Sequence, residues 1–151
     1  MKDEFPIRSL LESGFKSDSA AATMLMAQRF AAELKAGDFI ALHGNLGTGK
    51  TTFVKGLAKG LGVAQTVKSP SFSVYSVYDT SNPDLKLVHL DAYRLRNAAD
   101  YENLLIDEMV ASEKIICAEW AEIISESVPE NAVHIYFSSR GDMRTIALNK
   151  S

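Results

Sequence analysis

The sequence predicts an α/β fold of three layers, a sandwich in which helices cover both faces of a mixed central sheet. Early in the chain, apolar strand-like runs alternate with amphipathic helical segments, which is typical of such folds. In the C-terminal half the period changes to two and turn residues recur, which predicts β-hairpins. No repeat, low-complexity tract or linker divides the 151 residues, so we expect residues 1–151 to form a single domain.

The first predicted elements are a short strand and a helix. Residues 9–13 are interpreted as the strand, and residues 17–19 offer N-capping side-chain oxygens to the helix that follows. Residues 37–38, a Gly-Asp pair, are expected to end this helix. Its predicted apolar face consists of Met24, Leu25, Phe30, Ala31 and Leu34.

A buried strand, a glycine-rich turn and a second helix come next. Residues 39–43 are nearly all apolar, as expected for a strand that is covered on both faces. The second helix is predicted over residues 50–61, with Gly62 as its C-terminal stop.

The remainder of the chain is predicted to contain shorter elements. A hairpin is expected from β-forming residues at 72–78, a turn at 80–84 and a return strand at 85–90. The elements predicted after it are a short helix at 99–105, a buried strand at 114–118, a short helix at 121–126, a turn at 129–131, and a hairpin of 133–138 with 143–148.

Charge and composition exclude several classes of function. The net charge is −3, with 19 acidic and 16 basic residues, whereas a protein that grips nucleic acid alone usually carries a basic excess. We therefore expect no DNA partner, and expect any RNA to be held by another protein. The single cysteine, Cys117, excludes an internal disulfide and a cysteine metal cluster, and we expect it to pack in the core. The three dispersed histidines indicate no zinc site.

Nothing in the sequence predicts a membrane protein. The N-terminal residues lack the apolar segment of a signal peptide, and no apolar run is long enough to cross a bilayer. The expected location is the cytoplasm.

One motif predicts a nucleotide site. The segment from Gly44 to Thr51 fits G-x-x-x-x-G-K-[ST] and lies between a predicted strand and a predicted helix. Glycines let successive backbone N–H groups wrap closely around a phosphate, and the helix adds its free N–H groups and positive dipole end. The predicted nucleotide-binding residues are Gly44, Asn45, Leu46, Gly47, Thr48, Gly49, Lys50, Thr51 and Thr52.

Each side chain at the end of the motif has an expected role in binding Mg²⁺–ATP. Lys50 is expected to reach the β- and γ-phosphates, and the Thr51 hydroxyl is expected to ligate Mg²⁺. Thr52 is placed to contact the α-phosphate. The alternative, a glycine-rich turn that carries a lysine by chance, is disfavoured by four constrained positions in a strand–turn–helix setting.

Two acidic residues follow apolar strands and are candidates for the second acid of such a site. Asp91 directly follows the apolar run at residues 87–90, and Glu119 directly follows the run at residues 115–118. Ligands of open α/β folds bind at the carboxyl ends of strands, so either carboxylate has a place near Mg²⁺. For a single acid, a helix cap or solvated turn is an equally good interpretation; two such acids beside a phosphate loop favour function.

The aromatic candidates are less specific. His89 either faces the site or packs within its strand, and packing is the simpler interpretation. His43 and His134 are interpreted as strand residues. Trp120 is interpreted either as a core anchor or as a shield over the nucleotide beside Glu119, with no preference between the two.

Two related classes of phosphate-loop protein are disfavoured. The guanine-reading motif N-K-x-D is absent, as is the D-x-x-G motif of GTPases. Small-molecule kinases generally bring several arginines to the transferred phosphate, but only Arg94 and Arg96 lie close together here, and no arginine is an obvious finger.

Taken together, the motifs resemble those of the bacterial TsaE (YjeE) family. They are the phosphate loop, S-P-S-F at residues 69–72, H-L-D-A-Y-R at residues 89–94, and the pair Glu119-Trp120. The chain departs from the usual family pattern at Asn45, Thr48 and Ser71, with residues of similar size and polarity.

The resemblance implies a P-loop NTPase-like fold and an ATPase that serves threonylcarbamoyladenosine modification of tRNA. It also implies TsaD and TsaB as partners, with tRNA contacted only through them. By resemblance, Thr51 and Glu119 hold Mg²⁺, and Asp91 is a catalytic or switch residue near the γ-phosphate. The resemblance further places the adenine base near Ala20 and Gly141.

Two other functions stay open at this point. A free-standing kinase for a small metabolite would transfer phosphate to an added acceptor. A nucleotide-gated binding module would bind ATP and partners without useful turnover. The two strand-end acids favour the ATPase, in which Lys50, Asp91 and Glu119 are the expected catalytic residues.

Overall fold

The computed structural model describes residues 7–45, 47–70 and 73–148. Its centre is a seven-stranded mixed sheet with the strand order β1-β7-β6-β2-β5-β4-β3. The strands are β1 (Phe15–Ser17), β2 (Phe39–His43), β3 (Tyr75–Asp79), β4 (Leu85–Asp91), β5 (Glu113–Glu119), β6 (Val133–Arg140) and β7 (Met143–Ala147). β2 pairs in parallel with β5 and β6, and β4 pairs in parallel with β5.

Antiparallel pairs complete both ends of the sheet. β3 and β4 form one hairpin, β6 and β7 form another, and β1 adds to the outer edge of β7. This confirms the predicted mixed sheet with hairpins in the C-terminal half.

Five α-helices are assigned in the described residues: α1 (Ile7–Ser13), α2 (Ala20–Ala31), α3 (Lys50–Gly60), α4 (Ala98–Glu102) and α5 (Ile106–Met109). Two 3-10 helices, at Ala92–Arg94 and Ala121–Ser127, follow the carboxyl ends of β4 and β5. α2 begins as predicted, because the Ser19 side chain accepts a hydrogen bond from the backbone N–H of Ala22.

The sheet separates two apolar cores, which makes the three layers. Alternate residues of β2 show this division: Ile40 and Leu42 pack with α2 and α3, whereas Phe39 and Ala41 pack on the other face with the 3-10 helix after β5. A strand buried on both faces needs apolar side chains at every position, which explains why the run preceding the glycine-rich turn was predictable.

Three local predictions were wrong. Residues 9–13 belong to α1, not to a strand, because Ile7 and Leu11 bury one helical face against the core. α2 ends at Ala31 rather than near Gly37, since the next residues form tighter turns that bond back three residues. Leu25 is 59% exposed and lies off the buried face.

The buried face of α2 is formed by Thr23, Met26, Ala27, Phe30 and Ala31. Of the strand predicted over 72–78, residue 72 lies outside the described residues, and the assigned strand is Tyr75–Asp79. The helix predicted at 121–126 is a 3-10 helix.

Gly56 lets α3 approach α2 closely enough to hold the phosphate-loop helix in place. A Cβ added at Gly56 would lie 2.8 Å from Met24 Cα and 2.9 Å from Ala27 Cβ. Gly56→Ala should therefore destabilise the fold by about 1–3 kcal/mol, although alanine is otherwise the better helix former. Urea unfolding measures this, with the exposed helical change Lys55→Ala as the control. An unchanged or increased free energy of unfolding would contradict the close contact.

Candidate functional site

A cleft of about 520 Å³ lies at the carboxyl edge of the parallel strands, where α3 begins. Its floor is the phosphate loop, including Gly47 and Gly49, with Lys50, Thr51 and Thr52 of α3. Glu119 and Trp120 form one wall. This is the edge at which open α/β sheets bind ligands, and the volume suits a small organic molecule.

The backbone of the loop requires glycine at its first position. A Cβ at Gly44 would lie 2.7 Å from the backbone oxygen of Phe137 and 2.9 Å from Thr48 Oγ1. Thr48 is itself buried, and its hydroxyl donates a 2.7 Å hydrogen bond to the backbone oxygen of Asn45. Gly49 precedes α3 with a φ of 102°. Leu46, also predicted to bind nucleotide, lies outside the described residues.

Lys50 is only 5% exposed, which is unusual for a lysine. Its ammonium group donates a hydrogen bond to the backbone oxygen of Gly44 and lies 3.7 Å from the centre of the Trp120 ring. Burial lowers the pKa of Lys50. Neighbouring carboxylates oppose this shift, and Glu119 has the largest opposing effect. A partly desolvated cation at the start of a helix is well suited to bind an anion.

Thr51 and Glu119 meet across the cleft. Thr51 Oγ1 lies 3.2 Å from Glu119 Oε2 and 3.5 Å from Oε1, although the two residues are far apart in sequence. Ser69 Oγ is 3.4 Å from the same hydroxyl. Neighbouring ligands of an octahedral Mg²⁺ lie about 3 Å apart, and Mg²⁺ prefers such oxygen donors. The pair predicted to hold Mg²⁺ therefore fits that ion.

The side chain of His89 contacts Glu119 of this pair. Its ring is fully buried, and Nε2 lies 2.7 Å from Glu119 Oε2. Packing within the strand was the simpler interpretation of His89, but it is incomplete, because the ring also contacts the candidate metal ligand.

Asp91 is placed directly beside Glu119 in the parallel pairing of β4 and β5. Its side chain accepts a 3.1 Å hydrogen bond from the backbone N–H of Tyr93 and so caps the short helix Ala92–Arg94. The ring of Tyr93 lies 5.1 Å from that of Trp120. Asp91 thus caps a helix, which is one of the two interpretations left open for it, and its functional role stays a prediction. Its carboxylate, after those of Glu119 and Glu122, opposes the lowering of the Lys50 pKa by burial.

Trp120 adopts a left-handed backbone conformation, with a φ of 59°. Strained backbone of this kind concentrates at functional sites. Here it turns the chain sharply after Glu119 and puts the indole over Lys50. Trp120 therefore lines the cleft and also packs against the apolar core that contains Phe39 and Ala41.

The start of α2 and the last hairpin also line the cleft. Ala20 and Thr23 line it from α2, and Asp142 and Arg144 line it from the hairpin. Gly141 lies in the hairpin turn, where its backbone oxygen accepts a 3.4 Å hydrogen bond from Arg144. Ala20 thus lines the cleft, Gly141 is next to the lining residue Asp142, and their contact with the adenine base stays a prediction.

A cluster of aromatic rings lies next to the phosphate loop, on the face of β2 that points away from α3. His43 Nε2 lies 2.8 Å from His134 Nδ1, and the His43 ring stacks on Tyr136 at 4.7 Å. His43 Nδ1 lies 3.3 Å from a carboxylate oxygen of Glu122. Burial lowers the pKa of His43, and Glu122 opposes that shift. Both histidines occupy strands, as interpreted from the sequence.

Sequence reasoning missed several residues that line the cleft. Arg144 was overlooked because no motif marks it; its place follows from the pairing of β1 with β7, in which it lies opposite Ser17. Asp18 and Ser19 line the cleft from the adjoining loop, although the sequence indicated only their capping role. Arg144 is therefore an arginine at the cleft that the sequence did not indicate.

Two predicted absences concern the described residues only. No group of three or more His, Cys, Asp or Glu side chains in those residues is arranged to hold a metal ion. None of the described helices has the length and apolar character needed to cross a membrane. Cys117 is fully buried, as predicted, and burial raises the pKa of its thiol well above the usual value.

Comparison with known proteins gives consistent matches. The model of the family described as Threonylcarbamoyl adenosine biosynthesis protein TsaE matches residues 17–146. The tRNA threonylcarbamoyladenosine biosynthesis protein TsaE of Bacillus subtilis is 38% identical over 120 residues, which cover 80% of this chain and 73% of that protein. The protein of the same name from Streptomyces coelicolor is 38% identical over 110 residues, covering 73% and 74%.

A solved structure agrees with the sequence matches. The crystal structure of Bacillus subtilis YdiB superimposes with a TM-score of 0.68 at 31% identity, covering 90% of this chain and 85% of YdiB. The family match spans the phosphate loop, both strand-end acids and the hairpin that closes the cleft. The chain therefore belongs to the TsaE family.

Proposed function

We propose that this protein binds and hydrolyses Mg²⁺–ATP, and that it does so in the biosynthesis of threonylcarbamoyladenosine in tRNA. The observation that carries the proposal is the meeting of Thr51, at the start of the phosphate-loop helix, with the buried carboxylate of Glu119, 3.2 Å away. The names of its relatives supply the biosynthetic context.

Each residue of the cleft has a defined task in this proposal. The loop N–H groups and Lys50 bind the phosphates, and Lys50 exchanges its contact with the Gly44 oxygen for phosphate oxygens. Thr51 and Glu119 would hold Mg²⁺, which when bound neutralises charge on the β- and γ-phosphates. Ala20, Thr23 and the hairpin enclose the base end of the cleft.

In this proposal Asp91 reports the state of the phosphates. Its carboxylate caps the helix that carries Tyr93, whose ring contacts Trp120, and Trp120 lies over Lys50. A movement of Lys50 toward a γ-phosphate would remove its cation–π contact and free the indole. In the proposed cycle, ATP thereby repositions the exposed segment around Tyr93, and hydrolysis reverses the change.

The proposed partners are TsaD and TsaB, with tRNA contacted only through them. A net charge of −3 lacks the basic excess that a protein holding tRNA alone usually carries. Among the described residues that line the cleft, Arg144 is the one arginine, and the proposal assigns it to the base end instead of the phosphates. A partner that completes the site would make hydrolysis slow alone and faster in the complex.

Phosphate release from Mg²⁺–ATP, measured with the protein alone and with TsaB–TsaD, tests the proposal. We expect the partners to increase the rate at least about tenfold, a lowering of the barrier by about 1.4 kcal/mol. Equal rates with and without the partners would contradict partner-dependent hydrolysis. Label from γ-labelled ATP on an added small molecule would indicate a kinase instead, and ATP-dependent partner binding without turnover would indicate a binding module.

A further inference from the structure

We propose that His89 is a positioning residue that orients the Glu119 carboxylate for metal binding. The inference rests on the proposed Mg²⁺–ATP function, because it assigns His89 to the metal ligand of that site. The observation behind it is the 2.7 Å contact of His89 Nε2 with Glu119 Oε2.

The sheet places the two side chains on the same face. In the parallel pairing of β4 with β5, Asp91 is opposite Glu119, and His89 is opposite Cys117. Because residues two apart in a strand share a face, His89 points toward α3, as Glu119 does. His89 thus lies two residues before the carboxyl end of β4, on the side of Glu119 away from solvent.

The surroundings of His89 show that packing alone does not explain it. The ring has no exposed surface, and its Nδ1 atom has no hydrogen-bond partner among the described residues. An apolar side chain would fill the same space without a buried, unpaired polar atom. The Nε2 contact is therefore the feature that distinguishes histidine from leucine at this position.

The direction of the hydrogen bond follows from the chemistry of a metal ligand. A carboxylate that binds Mg²⁺ is deprotonated and can only accept hydrogen bonds, so Nε2 carries the hydrogen and donates. Donation to Oε2 restricts rotation of the carboxylate about its terminal torsion, which is otherwise soft. It keeps Glu119 beside the hydroxyl of Thr51.

The test separates metal binding from nucleotide binding and from folding. Binding of a methylanthraniloyl-labelled, non-hydrolysable ATP analogue would be measured in EDTA and over a series of Mg²⁺ concentrations. The variants are His89→Leu, which has no donor, and His89→Gln, whose amide nitrogen can reach the position of Nε2. Val88→Ala is the matched control, because Val88 is equally buried in β4 but packs in the opposite core.

For His89→Leu we expect the Mg²⁺ concentration needed for half-maximal tight binding to rise about tenfold or more. Its affinity in EDTA should stay within about threefold of wild type, and His89→Gln should recover most of the Mg²⁺ response. Val88→Ala should lower thermal stability without changing the Mg²⁺ response.

Three outcomes would overturn the inference, and they are distinguishable. An unchanged Mg²⁺ response in His89→Leu would show that Glu119 needs no orientation by His89. Equal losses in the Leu and Gln variants would assign the effect to ring shape instead of hydrogen-bond donation. Absence of nucleotide binding or of any Mg²⁺ response in wild type would overturn the proposed function, and the role of His89 with it.

Discussion

Replacing Lys50 by methionine is expected to lower the rate of phosphate release from ATP at least about a hundredfold. Methionine keeps an unbranched apolar chain of similar length but removes the ammonium group. That group is the only side-chain cation of the phosphate loop in the described residues, and it is almost fully buried. A charge held in a partly desolvated site interacts with phosphate more strongly than one exposed to water, so its loss should be large.

Stability measurements distinguish this effect from misfolding. Burial lowers the pKa of Lys50, which means that the folded state disfavours the charged form. The unliganded Lys50→Met protein should therefore be at least as stable as wild type. Thermal unfolding with and without ATP is expected to show loss of the ligand-induced increase in Tm. The control is Lys55→Met, which removes the same charge at an exposed position of the same helix. Equal losses in both variants would contradict a specific role for Lys50.

The phosphate loop was predictable because its structure is encoded locally. The run from Phe39 to His43 is apolar on both faces, and the glycines after it have backbone or contact requirements that other residues do not meet. Strand, turn and helix consequently formed at the predicted positions. The carboxyl ends of β4 and β5 were predictable for the same reason, with Asp91 and Glu119 as their last residues.

Contacts across the sheet were not predictable from the sequence. His89 and Glu119 meet only because β4 and β5 pair in parallel with one particular register. A shift of one residue would turn one of the two side chains to the opposite face. The position of the indole over Lys50 depends further on the left-handed conformation of Trp120, which is not favoured for a tryptophan. Neither feature has a local signature.

The error at residues 9–13 has a different cause. The segment is too short for its apolar spacing to separate a helix from a strand. Burial of Ile7 and Leu11 against the core decides in favour of the helix, and this tertiary packing is not visible in the segment itself. Arg144 was missed similarly, since its contact with the cleft comes from β-pairing at the far edge of the sheet.

Changing Glu119 to glutamine is expected to remove the Mg²⁺ dependence of ATP binding and to lower phosphate release by about 10- to 100-fold or more. Glutamine has nearly the same shape, and its amide oxygen can still accept from Thr51 or His89. Only the negative charge and one acceptor oxygen are lost. Because Glu119 is the anionic protein ligand of the proposed Mg²⁺ site, the variant should leave the fold intact and weaken that site.

The affinity for ATP without metal provides the decisive comparison. The Glu119 carboxylate lies beside the phosphate loop, where it would repel a bound triphosphate, so Glu119→Gln should bind ATP in EDTA as tightly as wild type or more tightly. With Mg²⁺ the order should reverse. Glu126→Gln, an exposed change of the same charge in the following 3-10 helix, should behave as wild type in both conditions. If Glu119→Gln retained the full Mg²⁺ response, Glu119 would not be a metal ligand, and Thr51 would have to bind the ion with water and phosphate alone.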